Sequence, residues 1–206
     1  MERAGERRPA DEQRPVEQPV PRRKPPEVEV FADVNCPFAY VTLTRLKGQR
    51  DMLGSPAVIR VRAWPLELVE ARPWDAELVA REVAALQGSV APDLFAGFPA
   101  HSGFPASSIP ALNAAAADPS EAFAIAVRRA LWEEGRAVTG STEPSPVVLA
   151  DYAEGKARDV LGSPHFFFPR GATVFSPVFD VAQAGSGFTI TDRMAGFAAL
   201  CARELA

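Results

Sequence analysis

The feature that most restricts the fold is a cysteine at the junction between a predicted strand and a predicted helix. β-forming residues from Val28 onward lead into Cys36 and Pro37, and apolar residues then recur at helical intervals from Tyr40 to Leu53. Proline suits the first helical position, because its missing N–H is not needed there. Cys36 is therefore predicted at the N-cap, where unpaired backbone N–H groups favour a thiolate.

The rest of the chain alternates between strand and helix signals in a defined order. Residues 57–64 alternate apolar and basic side chains and predict a second strand, parallel to the first across a βαβ crossover. Residues 76–152 carry helical patterns, interrupted by the proline-rich loop 97–110. Residues 162–175 predict a β-hairpin, and residues 191–205 a final helix capped at Thr191 or Asp192. The order predicts an α/β domain over residues 27–206, with a helical insertion at about 75–160.

Composition and charge narrow the classes of partner and location. Residues 1–26 are charged and proline-rich, with too few apolar side chains to fold, and are predicted to be a disordered tail. A net charge of −4 gives no general attraction to nucleic acid or anionic lipid. No apolar run has the length of a membrane helix, and no signal peptide is evident, so a cytoplasmic protein is expected. Two cysteines and two distant histidines predict neither a disulfide scaffold nor a metal site.

The residues around the cysteine resemble a known family. The pattern Asp-x-x-Cys-Pro-aromatic-x-aromatic between a strand and a helix is similar to the opening of DsbA-like thioredoxin-fold proteins. These include FrnE-type oxidoreductases, 2-hydroxychromene-2-carboxylate isomerases and kappa-class glutathione transferases. The resemblance implies a thioredoxin fold, βαβ…ββα with a helical insertion. It also implies that Pro164, in Gly162-Ser163-Pro164, is a cis-proline that faces Cys36.

The motif around Cys36 differs from that of the family members with two active-site cysteines. Those members have the sequence Cys-Pro-x-Cys, whereas this chain has Ala39 at the position of the second cysteine. Without that resolving thiol, the expected function is thiol–disulfide exchange through a single cysteine, with glutathione or another low-molecular-weight thiol as co-substrate and no bound cofactor. Exposed backbone beside Ser163 would bind that thiol or, alternatively, a peptide. The catalytic residue is predicted to be Cys36, and the substrate- or thiol-binding residues are predicted to be Asn35, Pro37, Phe38, Ser163 and Pro164.

Two other functions fit the same motif. The chain is alternatively a glutathione-type transferase or isomerase, or a non-catalytic peptide-binding module; the motif does not separate them, and the oligomeric state is open. Cys201 lies on an apolar helical face and is predicted to be a buried hydrophobic residue. Asp33 either tunes the proton affinity of the cysteine or is an exposed turn residue. His165 is predicted to point away from Pro164, in a structural or exposed position, and His101 has no evident partner.

Overall fold

The structure, a computed structural model, describes residues 24–98 and 103–206. Most of the predicted tail, together with His101, lies outside these residues. The main sheet has four strands in the order β2-β1-β3-β4. Strands β1 and β2 are parallel, and β3 pairs antiparallel with β1 and with β4. The strands are β1 (Glu27–Ala32), β2 (Val58–Ala63), β3 (His165–Phe167) and β4 (Thr173–Phe175).

Seven helices surround the sheet within the described residues. Helix α1 (Pro37–Met52) connects the two parallel strands, and α7 (Met194–Leu205) follows the last strand. The chain between β2 and β3 forms α2 (Leu66–Val69), α3 (Ala76–Gln87), α4 (Ile109–Ala117), α5 (Glu121–Glu134) and α6 (Pro146–Ala157). The predicted α/β order, βαβ followed by helices and ββα, is confirmed.

The side chains of β1 pack on both faces of the sheet, because successive residues of a strand point in opposite directions. Val28 and Val30 are fully buried in the main hydrophobic core. Phe31 points to the other face, where it joins Trp64 in a smaller cluster. Helix α6 approaches that face so closely that a Cβ on Gly155 would lie 2.5 Å from the indole of Trp64. Glycine is therefore required there for the contact between helix and sheet.

The last part of the chain differs from the prediction. A second hairpin, β5 (Phe179–Ala184) and β6 (Gly187–Asp192), precedes the final helix and was not predicted. Most of its side chains are exposed or half-buried, although Phe179 and Val181, and then Phe188 and Ile190, stand at alternate positions. The predicted helix start at Thr191 is wrong, since Thr191 pairs with Asp180 in this hairpin. Helix α7 begins at Met194, whose N–H donates to Asp192 Oδ1 at 2.7 Å.

Candidate active site

Cys36 lies where the sequence places it, at the N-cap of α1, with Pro37 as the first helical residue. Strand β1 delivers it to this point, and β3 begins directly opposite. The Ser163–Pro164 peptide bond is cis. The Cys36 thiol donates a hydrogen bond to the Ser163 carbonyl oxygen, with an S···O distance of 3.2 Å. The cysteine and the cis-proline loop are thus in direct contact.

The protonation state of Cys36 is opposite to the prediction. Burial raises the pKa of the thiol to about 12, and the negative charges of Glu82 and Asp33 act in the same direction. The side chain of Ser163 and the backbone N–H of Ala39 lower the pKa, but these effects are smaller than that of burial. Since only 3% of Cys36 is exposed, a thiolate there would be poorly solvated. The predicted thiolate is therefore wrong for the unliganded site, in which Cys36 is a protonated hydrogen-bond donor.

Asp33 is fully buried, so the predicted exposure is wrong, whereas a turn-forming role is confirmed by its contact with the N–H two residues further on. Its Oδ1 accepts from the N–H of Asn35 at 2.9 Å, and its Oδ2 accepts from the N–H of Leu66 and the hydroxyl of Ser108 at 2.8 and 2.9 Å. Its own N–H donates to Ser163 Oγ at 2.9 Å. Burial raises its pKa to about 6, although the three donors lower it. Asp33 therefore ties the cysteine loop to the helical insertion and to the cis-proline loop.

The backbone beside the cis-proline is already used by the protein itself. Ser163 is only 8% exposed, and its carbonyl oxygen accepts from the Cys36 thiol. The N–H of Ser176 donates to the Pro164 carbonyl oxygen at 3.0 Å. Ser163 is thus largely buried rather than exposed, and a ligand would have to displace the Cys36 thiol to use its carbonyl oxygen. Ser163 still lines the cavity described next, and its binding role stays a prediction.

A cavity of about 280 Å³ opens next to the cysteine. Of the predicted site residues, Cys36, Phe38 and Ser163 line it, whereas Asn35, Pro37 and Pro164 are absent from its described lining. Phe38 is half-buried against Phe179, with ring centroids 5.6 Å apart. Asn35 instead donates to the Pro105 carbonyl oxygen at 3.1 Å and so holds the insertion loop. Pro37 and Pro164 are buried supports of the cysteine and of its facing loop.

The opposite wall of the cavity comes from α2, α3 and the segment between them. It includes Glu67, Glu70, Arg72, Trp74, Asp75 and Glu82. The buried Nε1 of Trp74 has no hydrogen-bond partner within the described residues. Burial raises the pKa of Glu82 to about 7, with a further contribution from the charge of Glu70. Sequence reasoning missed Trp74 and Glu82, because they lie just before and within a helical pattern, about 40 residues from the cysteine, with no motif.

The remaining candidates have structural roles. Cys201 is fully buried on α7, as predicted, and burial raises its pKa to about 11. His165 is 4% exposed, and its Nδ1 accepts from the N–H of Leu161 at 3.0 Å. Burial lowers its pKa, so the ring is a neutral part of the core. Among the residues that the structure describes, no cluster of His, Cys, Asp or Glu is suited to a metal ion, and no helix could span a bilayer.

Comparisons with known proteins support the fold. No protein-family model and no curated protein matches the chain. A crystal structure of a "putative protein disulfide isomerase" from Nitrosomonas europaea is similar, with a TM-score of 0.50 and 12% identity; the match covers 89% of this chain and 100% of that one. At such low identity the likeness establishes the fold alone. The chain has a DsbA-like thioredoxin fold, in agreement with its strand order and helical insertion.

Proposed function

We propose that this chain is a thiol–disulfide oxidoreductase that works through Cys36 alone, with a low-molecular-weight thiol as co-substrate. The observation that carries the proposal is the position of the Cys36 sulfur, which lies between the start of α1, the Ser163 carbonyl and a cavity of about 280 Å³. Helices α2 and α3 and the segment between them form one wall of that cavity, and the cysteine and cis-proline loops contribute to the other. A concave site of this size suits a small molecule rather than a folded protein.

The chemistry needs two exchange steps. Cys36 loses its proton to solvent, and its thiolate attacks one sulfur of a small disulfide; a bond forms between them, the original S–S bond breaks, and a small thiolate leaves and takes up a proton. A second small thiol then attacks the mixed disulfide and restores Cys36. The resolving thiol must be external, because Ala39 carries none and Cys201 is fully buried on α7.

The direct test is intact-mass analysis after incubation with bis(2-hydroxyethyl) disulfide, and separately with oxidised glutathione. We expect a single adduct on the wild type and on Cys201→Ala, no adduct on Cys36→Ser, and its removal by excess small thiol. The same chain unfolded in urea serves as the reference for an unshielded cysteine. If the unfolded chain forms the adduct and the folded chain does not, exchange at Cys36 is ruled out.

One observation favours a second function, that of a glutathione-type transferase or isomerase. The Cys36 thiol is protonated and donates a hydrogen bond, which is the role that a serine hydroxyl would fill at the same N-cap. Such a donor can hold the thiolate of a bound cofactor without exchanging with it. Cys36→Ser separates the two functions: it retains thiol binding and turnover of an electrophile in a transferase, and abolishes all turnover in an exchange enzyme.

A further inference from the structure

The cavity beside Cys36 has a strongly unbalanced charge. Glu67, Glu70, Asp75 and Glu82 line it, and Arg72 is the one cation among its described lining residues. Fixed charges of one sign around a cavity with apolar walls raise the local concentration of ligands of the opposite sign. The charge of a ligand is therefore an important determinant of whether it enters.

Three of the four carboxylates are satisfied by the protein. Glu67 accepts hydrogen bonds from the N–H of Ser108 at 2.8 Å and from other groups at the start of α4. Asp75 caps α3 by accepting from the N–H groups of its first turn. Glu70 forms an ion pair with Arg72, which also neutralises the only cation of the lining. These contacts leave Glu82.

Glu82 is the carboxylate of the lining that no hydrogen bond or salt bridge from a described residue reaches, although the charges of Arg81 and Arg72 act on it at longer range. It is half-buried on α3, and no hydrogen bond from a described residue contributes to its pKa, which burial raises. Its charge also raises the pKa of Cys36, so the two groups share one electrostatic environment. A cation placed between them would stabilise both the Glu82 carboxylate and the Cys36 thiolate.

The walls around Glu82 suit an organic cation with a polar acceptor. Trp74, Phe38 and Leu78 provide aromatic and aliphatic surface, and an indole face attracts ammonium groups. The buried Nε1 of Trp74 also has a hydrogen to donate, with no acceptor among the described residues. An amide or hydroxyl oxygen on the ligand would satisfy it.

We infer that this cavity selects low-molecular-weight thiols and disulfides whose ammonium groups give them a net positive charge, and discriminates against those of net negative charge such as glutathione. The inference rests on the proposed exchange at Cys36 and identifies its substrate class. The ligand supplies the positive charge that the site lacks, so the cysteine is activated when a suitable disulfide is bound. An acidic disulfide brings a second negative charge beside Glu82 and is repelled.

The test uses three disulfides of nearly the same length on the Cys201→Ala chain at about pH 8.5, where Glu82 is ionised. They are cystamine, which is cationic, bis(2-hydroxyethyl) disulfide, which is neutral, and 3,3′-dithiodipropionate, which is anionic. Each rate of adduct formation at Cys36 is divided by the rate with N-acetylcysteine amide, which removes differences in intrinsic reactivity. We expect the normalised rate to be highest for the cationic disulfide, intermediate for the neutral one and lowest for the anionic one. The cationic and anionic rates should differ by at least about tenfold, and the difference should shrink at high salt.

Two matched variants locate the charge responsible. Glu82→Gln is expected to reduce the cationic-to-anionic ratio several-fold, whereas Glu77→Gln, an exposed residue of the same helix outside the cavity lining, leaves it unchanged. The inference would be overturned by equal normalised rates for the three disulfides, by a fastest reaction with the acidic disulfide, or by equal effects of the two variants. Each of these outcomes would leave the proposed function standing. Absence of an adduct with all three disulfides would overturn the proposed function and, with it, this inference.

Discussion

The protonation state of Cys36 leads to a quantitative prediction for its alkylation. With a pKa of about 12, about one thiol in ten thousand is ionised at pH 8, whereas an ordinary cysteine with a pKa of about 8.5 is about one-quarter ionised. Only the thiolate reacts with iodoacetamide. Protonation alone should therefore slow the alkylation of folded Cys36 by about three orders of magnitude relative to the unfolded chain, before any effect of steric shielding.

The assay measures the alkylation rate of the Cys201→Ala chain by intact mass between about pH 6 and about pH 10. The logarithm of the native rate should rise with unit slope above about pH 8 and less steeply near pH 7, where ionisation of Glu82 raises the pKa of Cys36. The urea-unfolded chain should level off above about pH 8.5. Native rates are measured under conditions in which a low concentration of urea does not change the alkylation rate. This control is needed because urea would accelerate a reaction that requires the chain to unfold first. A native plateau below about pH 9 would refute the reasoning, since it would mean that the site stabilises the thiolate.

Three further substitutions test the site and the packing of the sheet. Glu82→Gln removes a negative charge that opposes the Cys36 thiolate, so alkylation at about pH 8.5 should become several-fold faster, with Glu77→Gln unchanged. Asp33→Asn exchanges one of two buried acceptor oxygens for an NH2 donor, which leaves at least one backbone N–H without its acceptor. It should lower the free energy of unfolding by about 2–3 kcal/mol, measured by urea denaturation; a change below about 0.5 kcal/mol would contradict its anchoring role. Gly155→Ala places a methyl group against an indole ring and should cost about 1–3 kcal/mol in the same assay, and an unchanged unfolding midpoint would show that α6 can shift freely.

The fold was largely predictable because its signals are local. A proline at the first helical position and β-branched residues before it locate the start of α1, and the residues near Pro164 locate the second half of the sheet. The hairpin of β5 and β6 was not predicted, although the sequence carries a signal for it. Large apolar residues stand at alternate positions of both strands (Phe179, Val181, Phe188 and Ile190), around a turn at Gly185-Ser186.

The candidate site was only partly predictable, because its electrostatics depend on residues that are distant in sequence. The motif around Cys36 predicts the position of the sulfur but not its burial by the helical insertion. Glu82 and Trp74 reach the cavity from α3 and from the segment before it, and no local pattern marks them. Asp33 stands beside the cysteine in sequence, yet its role depends on Ser108, which lies 75 residues away.

Two opposing effects on Cys36 explain why its motif does not determine its reactivity. A helix N-terminus stabilises a nearby anion by about 0.3–2 kcal/mol, which corresponds to about one unit of pKa or slightly more. Full burial can shift a pKa by about 3–5 units in the opposite direction, and here two carboxylates, Glu82 and Asp33, reinforce it. An N-cap cysteine is therefore activated only where solvent or a cation reaches its sulfur. Here only 3% of Cys36 is exposed and two carboxylates oppose its ionisation, so a positive charge on the ligand would favour the thiolate during exchange.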